Sequence, residues 1–430
     1  MIIGTLAIAG ALLLMMLGMP VGYALAVVGL SGFAAIVGIK PALTVFGQVA
    51  YDTVSNPTLV VLPLFLLMGN LVGASGMAKE LYRAAYAFMG HLRGGLAMAT
   101  IVACGAFSAI CGSSVATAAT MAKVALPAMR RYRYDDGFAA ATVASGGTLG
   151  ILIPPSTAMI IYGLLTETSI GKLFVAGIIP GLIGVAGYIA AAAWVTWRNP
   201  SLGPGGERSH WRERLRSLRD VWAVLSLFTF VIAGIYAGAF TATEAAGMGA
   251  FGALVITVWR RSMSLGAFID VLTTTARTTA MLFFLLIGAI AFTNFLEVAQ
   301  FSRELGAFIQ ALQAPGWTVI AAILLIYIIL GCFLEELSMT FLTIPIFFPV
   351  VTGLGYDPIW FGVLFVVVME IALISPPVGM NIFVIQSMAP HLSAKALYRG
   401  LVPFLVVDTI RLLLLAAFPS LSLILLQFVD

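Results

Sequence analysis

Four short stretches of this sequence place oxygen ligands or helix breakers inside otherwise apolar runs. Gly112-Ser113-Ser114 offers two hydroxyls on a flexible backbone, followed by Thr117 and Thr120. Gly146-Gly147-Thr148 precedes Pro154-Pro155-Ser156, and Ser375-Pro376-Pro377-Val378-Gly379 precedes Asn381. Glu335-Glu336-Leu337-Ser338 sets two carboxylates beside a hydroxyl. A proline inside a helix removes a backbone donor and frees a carbonyl one turn earlier. Two in a row beside glycine free several. In apolar surroundings those carbonyls need a partner, and a desolvated Na⁺ is a suitable one. Carboxylates in such segments are costly unless paired or ion-bound. Glu370 and Glu244 are further candidates, for which a salt bridge or a snorkelling side chain is an equal alternative. The three cysteines, Cys104, Cys111 and Cys332, have no metal-ligand spacing, and His91, His210 and His391 are scattered. The chemistry on offer is oxygen ligation of Na⁺ only, with no cofactor.

The elements that must position these residues are membrane helices. The chain is 61% hydrophobic and 9% charged, against about a quarter charged for soluble domains. Blocks such as 221–240 and 400–429 are long enough to cross a hydrocarbon core, which takes about 20 helical residues. The start has no basic residue before Lys40, so it reads as a first span and not as a secretory signal. Segments 94–129 and 316–350 are each long enough for two short helices and are broken near the middle. They are expected to be re-entrant hairpins, with the breaks at Gly112-Ser113-Ser114 and at Glu335-Glu336. Irregular backbone at membrane depth survives only where protein or a wet cavity satisfies it.

The halves repeat at a fixed offset. Pro127 and Tyr134-Asp135 correspond to Pro349 and Tyr356-Asp357, 222 residues later, as does 153–156 to 375–378. After one residue of slippage, Lys172, Gly177 and Pro180 match Lys395, Gly400 and Pro403. Basic residues orient the chain, because loops rich in Lys and Arg stay in the cytoplasm. With the stretch from Arg198 to Arg219 inside, seventeen basic residues fall on the cytoplasmic side and only Lys40, Lys172 and Arg303 outside. Both termini, including Asp430, are then periplasmic, and the broken helices 134–163 and 357–385 run in opposite directions. The expectation is an all-α polytopic membrane protein of about 10 spans plus two re-entrant hairpins and broken helices. It has two inverted-topology repeats, 1–197 and 221–430, joined by a basic cytoplasmic linker at 198–220. Inverted repeats with interrupted helices at matching places are the architecture of secondary transporters, with ion and substrate sites near the midplane. One sodium site should combine Gly112, Ser113 and Ser114 with Gly147, Thr148, Pro154 and Pro155. A second should combine Glu335, Glu336 and Ser338 with Ser375, Pro376 and Gly379. Thr117, Ser156 and Asn381 are assigned to substrate.

At these residues the sequence resembles the large permease subunit, the DctM-like M subunit, of the tripartite ATP-independent periplasmic (TRAP) transporters. The matching stretches are 112–117, 146–156, Gly234 to Ala246, and 375–381, and the similarity runs end to end. Ala242 stands where similar members often have Pro. The resemblance implies an elevator-type, Na⁺-coupled carrier of the bacterial inner membrane. It implies a small four-span Q-type membrane partner and a periplasmic solute-binding protein of P type. Substrates of the family are small organic acids: C4-dicarboxylates, sialic acids, sugar acids or keto acids. Since the chain opens on the first large-subunit span, the Q-type partner is expected as a separate chain.

The rival reading is a stand-alone Na⁺/dicarboxylate symporter or antiporter of related fold. A hydrolase using Ser113 or Ser114 would need a base near the tip, and none lies close in sequence. No phosphate-binding loop with its lysine is present, so ATP drive is not expected, and nothing points to nucleic acid.

Overall fold

Each interruption seen in the sequence ends one helix and caps the next. The computed structural model describes residues 1–389 and 392–428; His391 and Asp430 lie outside the described residues. Gly112 ends the helix Gly95–Cys111 at φ +65°, a left-handed turn that glycine adopts without penalty. Ser113 then caps Ser114–Arg131 by accepting from the Ala116 amide at 3.4 Å. The second hairpin is Gly316–Gly331 followed by Glu336–Gly353, with Glu335 at the N-cap in extended conformation.

The two broken helices are built alike. Asp135 caps Asp136–Thr148 through the Phe138 amide (2.8 Å), and Asp357 caps Pro358–Leu373 through the Ile359 and Trp360 amides (2.8 and 2.9 Å). The chain resumes after the prolines as Thr157–Thr166 and Met380–Met388. The Pro154-Pro155 and Pro376-Pro377 bonds are both cis. Long helices Ile170–Arg198 and Ala394–Ala417 follow, with Pro180 and Pro403 in their interiors.

The described residues form helices, turns and loops and no strand. Among the described residues, six helices of 18 residues or more are apolar enough to cross a membrane, and Trp211–Asp220 with Trp222–Tyr236, bent by 50°, makes a seventh. The remaining apolar helices are shorter. Two are hairpin arms, two are halves of broken helices, and two are Ile2–Met16 and Val21–Val37. Large side chains such as Ile2, Met16, Tyr51 and Trp259 face outward, the pattern of a chain whose solvent is lipid. The protein is an all-helical, multi-pass membrane protein.

The helices pack in two groups. Val21–Val37, Val61–Ala74, Ala242–Trp259 and Leu265–Val298 form one, with Leu265–Val298 lying along Val21–Val37. A Cβ on Gly29 would sit 2.7 Å from the Phe292 amide nitrogen, so glycine is what lets these backbones approach. The second group gathers both hairpins, both broken helices, Ile170–Arg198 and Ala394–Ala417. From Gly137 to Thr148 the helix Asp136–Thr148 is buried, sheathed by the arms of the first hairpin and Ala394–Ala417.

The stretch expected as a linker is held in place by backbone bonds. Gly94 donates to the Gly203 carbonyl (2.8 Å), Gly206 to Gly90 (2.8 Å), and Asp135 to Leu202 (3.1 Å). Trp211, Leu215 and Leu218 share one exposed face of Trp211–Asp220, whose other positions include Arg212, Arg214, Arg216 and Arg219. That is the composition of a helix lying in a membrane interface.

Candidate functional site

The first hairpin tip sits directly on the first break. The Gly112 carbonyl accepts two hydrogen bonds from Thr157, from its amide at 3.2 Å and its hydroxyl at 2.7 Å. A Cβ on Gly112 would lie 2.8 Å from the Pro155 carbonyl oxygen. A Cβ on Gly150 would lie 2.6 Å from the Ser113 carbonyl, and one on Gly147 would lie 2.7 Å from the Ala118 Cβ. The glycines of 146–150 therefore let two interrupted backbones touch. Of the residues expected at the first site, Gly112, Ser113, Ser114, Gly147 and Pro155 lie at this junction, the Thr148 hydroxyl faces Ser145 and Tyr188, and all seven including Pro154 are buried except Ser113.

Asn381 ties this junction to the other half of the chain. Its Nδ2 donates to Ser114 Oγ at 2.7 Å and to the Ala144 carbonyl at 3.0 Å. The half-helix Met380–Met388 consequently packs on both Ser114–Arg131 and Asp136–Thr148. Three helix N-termini, at Ser114, Thr157 and Met380, converge within a few residues of one another. Each leaves orphan amides and a positive dipole end, which favours an anion. The Pro155 and Ser113 carbonyls lie at the same place, beside Gly112 and Gly150. Asn381 Oδ1 and Ser145 Oγ are buried there with no protein partner.

The second tip and break are arranged more loosely. Ser338 donates to Glu335 Oε1 at 3.2 Å, and Glu336 is buried with Oε2 unpartnered. Ser375 donates to the Ile371 carbonyl at 2.7 Å, and Gly379 (φ +59°) is the pivot over which the Leu373 and Ser375 carbonyls fold. Gly331 meets Ala372 near the two interruptions, but among the described residues no hydrogen bond joins 332–338 to 374–380. Pro376 and Pro377 are exposed, whereas Pro154 and Pro155 are buried.

Several candidates have other employment. Ser156 donates to the Ile151 carbonyl and accepts from the Met159 amide at 3.2 Å, so its hydroxyl is spent on capping Thr157–Thr166. Glu244 is exposed and completes a capping box with Thr241. Glu370 is fully buried and pairs with Arg411, which also donates to Asp408 Oδ1 at 2.8 Å. Asp408 Oδ2 accepts from the Tyr188 hydroxyl at 2.6 Å, and that hydroxyl lies 3.2 Å from Thr148 Oγ1. Sequence reading missed Tyr188 and Asp408. The signal was an intramembrane Asp three residues before Arg411, in a helix otherwise read as apolar.

Two cavities open where the helix groups meet. One of about 400 Å³ is lined by Cys111, Ala116 and Thr120 of the first hairpin and by Asn70, Asp270 and Thr274 opposite. Another, of about 620 Å³, lies between Leu286–Glu297 and the Thr157–Thr166 and Glu336–Gly353 helices. They lie toward opposite ends of Leu265–Val298.

Residues 8–421 match the family model described as the tripartite ATP-independent periplasmic transporter, DctM component. The chain is 37% identical over 397 residues to the C4-dicarboxylate TRAP transporter large permease protein DctM of Pseudomonas aeruginosa, covering 92% of each. It is 34% identical over 383 residues to the isethionate TRAP transporter permease protein DctMQ of Oleidesulfovibrio alaskensis, covering 88% of this chain and 59% of that one. The fold is similar, at a TM-score of 0.68, to the crystal structure of the Alcanivorax borkumensis YdaH transporter, with 15% identity and 89% of each chain covered. With the family model spanning nearly its whole length, this chain belongs to the DctM family of TRAP transporter large permeases, which are transporters and not enzymes.

Proposed function

We propose that this chain is the membrane permease of a Na⁺-coupled, binding-protein-dependent importer of small organic acids in a bacterial inner membrane. The observation that carries this reading is the junction of Gly112, Thr157, Ser114 and Asn381, where both halves of the chain meet. Converging N-termini there suit a carboxylate or sulfonate, and the Pro155 and Ser113 carbonyls at the same place supply oxygen for Na⁺. Gly112, Ser113 and Ser114 with Gly147, Thr148, Pro154 and Pro155 form the first cation cage. Glu335, Glu336 and Ser338 with Ser375, Pro376 and Gly379 form the second, and its looser packing marks it as the cage that closes when ion and substrate are bound. Asn381 and Thr117 hold the substrate, and Ser156 shapes the site by capping.

The two halves act as inverted repeats. The group holding both hairpins moves as an elevator against the group built on Leu265–Val298, and the two cavities are its opposite faces. A Q-type subunit covers apolar surface of the static group. The DctMQ relative supports this, since this chain spans only 59% of it. A P-type binding protein delivers the substrate, and both termini are periplasmic.

Uptake by the full three-component system in liposomes tests the first cage. Replacing Ser113 and Ser114 by Leu is expected to raise the Na⁺ concentration needed for half-maximal uptake. Unaltered Na⁺ dependence in a well-folded double variant would remove that cage from the account.

A further inference from the structure

Five side chains from four helices form one network inside the second helix group. Tyr188, Asp408, Glu370 and Thr148 are 0% exposed, and Arg411 is 1% exposed. Gly184 leaves the space that the Arg411 guanidinium fills. Nothing about membrane insertion requires such a cluster, and burying two carboxylates with one arginine is costly unless the arrangement is used.

The protons in the network can be followed one by one. Asp408 faces Arg411 with Oδ1 at 2.8 Å and the Tyr188 hydroxyl with Oδ2 at 2.6 Å. A hydroxyl carries a single proton. That of Tyr188 is committed to Asp408. That of Thr148 is committed to the Ser145 carbonyl at 2.7 Å. Tyr188 thus stands 3.2 Å from Thr148 Oγ1 without donating to it, and the Thr148 lone pairs stay clear of any donor. On the same turn, Ser145 Oγ is buried without a protein partner. Two hydroxyl oxygens at the end of the first broken helix are kept available.

We propose that Tyr188 and Asp408 are positioning residues for the first cation cage. By drawing the Tyr188 proton away, Asp408 keeps the Thr148 hydroxyl free to accept a cation, while Arg411 and Glu370 hold Asp408 in place. This rests on the sodium reading above. Asp408→Asn reverses the order: the amide donates to the Tyr188 oxygen, the Tyr188 proton turns to Thr148, and a lone pair is blocked. The remaining Arg411–Glu370 pair is balanced in charge, so the substitution leaves no carboxylate unpaired.

The test is a Na⁺ titration of uptake by the full three-component system in proteoliposomes. Asp408→Asn is expected to raise the Na⁺ half-saturation roughly three- to tenfold, the scale of one hydrogen-bond-sized loss, with the maximal rate largely kept. Adding Tyr188→Phe to Asp408→Asn removes the misdirected proton and is expected to bring the half-saturation back toward wild type. Thr148→Val is expected to raise it as Asp408→Asn does, and to mask Asp408→Asn when the two are combined. A purely structural network predicts instead that Tyr188→Phe worsens Asp408→Asn. Wild-type half-saturation in Asp408→Asn, or a double variant no better than the single, overturns the proposal. A wild-type system that transports without Na⁺ overturns the sodium reading and this inference with it.

Discussion

Gly112→Ala isolates the contact between the first tip and the first break. Gly112 sits at φ +65°, where an L residue costs about 1–2 kcal/mol. Its new Cβ would lie 2.8 Å from the Pro155 carbonyl oxygen. Carbon and oxygen need roughly 3.3 Å, so that carbonyl must retreat by about half an ångström. Gly76 is the control. It has φ +82° with nothing within 4 Å of an added Cβ, so Gly76→Ala carries the backbone cost alone. Both variants should lower the thermal stability of the purified chain, Gly112→Ala by more, because its clash adds to the shared backbone cost. Only Gly112→Ala should raise the Na⁺ half-saturation of uptake, by about tenfold if ligand placement matters on the half-ångström scale. Equal Na⁺ half-saturation in the two variants would refute the claim that the Pro155 carbonyl belongs to the cage.

Arg411→Met strands two buried carboxylates and should cost about 3–5 kcal/mol of stability, seen as early unfolding in detergent; adding Glu370→Gln should restore part of the loss. Asn381→Leu removes both hydrogen bonds from its amide to Ser114 and Ala144, at roughly 1–3 kcal/mol, and should abolish uptake while the chain still runs as a single species on size exclusion; wild-type uptake would contradict its role. Cysteines placed at 172 and 212 should react with an impermeant reagent in intact spheroplasts at 172 only, and labelling at 212 alone would invert the orientation.

Much of the architecture is legible because helix breaks are local events. Gly112-Ser113-Ser114 and Pro154-Pro155 announce themselves against apolar neighbours, and the chain turns at both. Partnerships across helices leave no such mark. Asn381 bonds to Ser114, 267 positions away, and Tyr188 to Asp408, 220 away, since packing of whole helices decides these meetings. The same gap explains Glu370, for which the sequence leaves ion ligand and salt bridge equally open until packing brings Arg411 beside it. Glu244 misleads for the opposite reason. Thr241 three residues earlier makes it a capping partner at an exposed helix start, a local role that a search for intramembrane charge overlooks. The stretch 198–220 reads as a linker from its prolines and glycines, but the free carbonyls and amides of residues 90–94 bind it down.

The central claim is that this chain moves a small organic acid with Na⁺ and only from a partner that captures it. The direct measurement uses liposomes holding this chain with its small membrane partner, an inward Na⁺ gradient, and micromolar labelled substrate. Negligible uptake is expected until the periplasmic binding protein is added outside, and uptake then should vanish when K⁺ replaces Na⁺. Robust uptake without the binding protein would contradict the account and make the chain a stand-alone symporter.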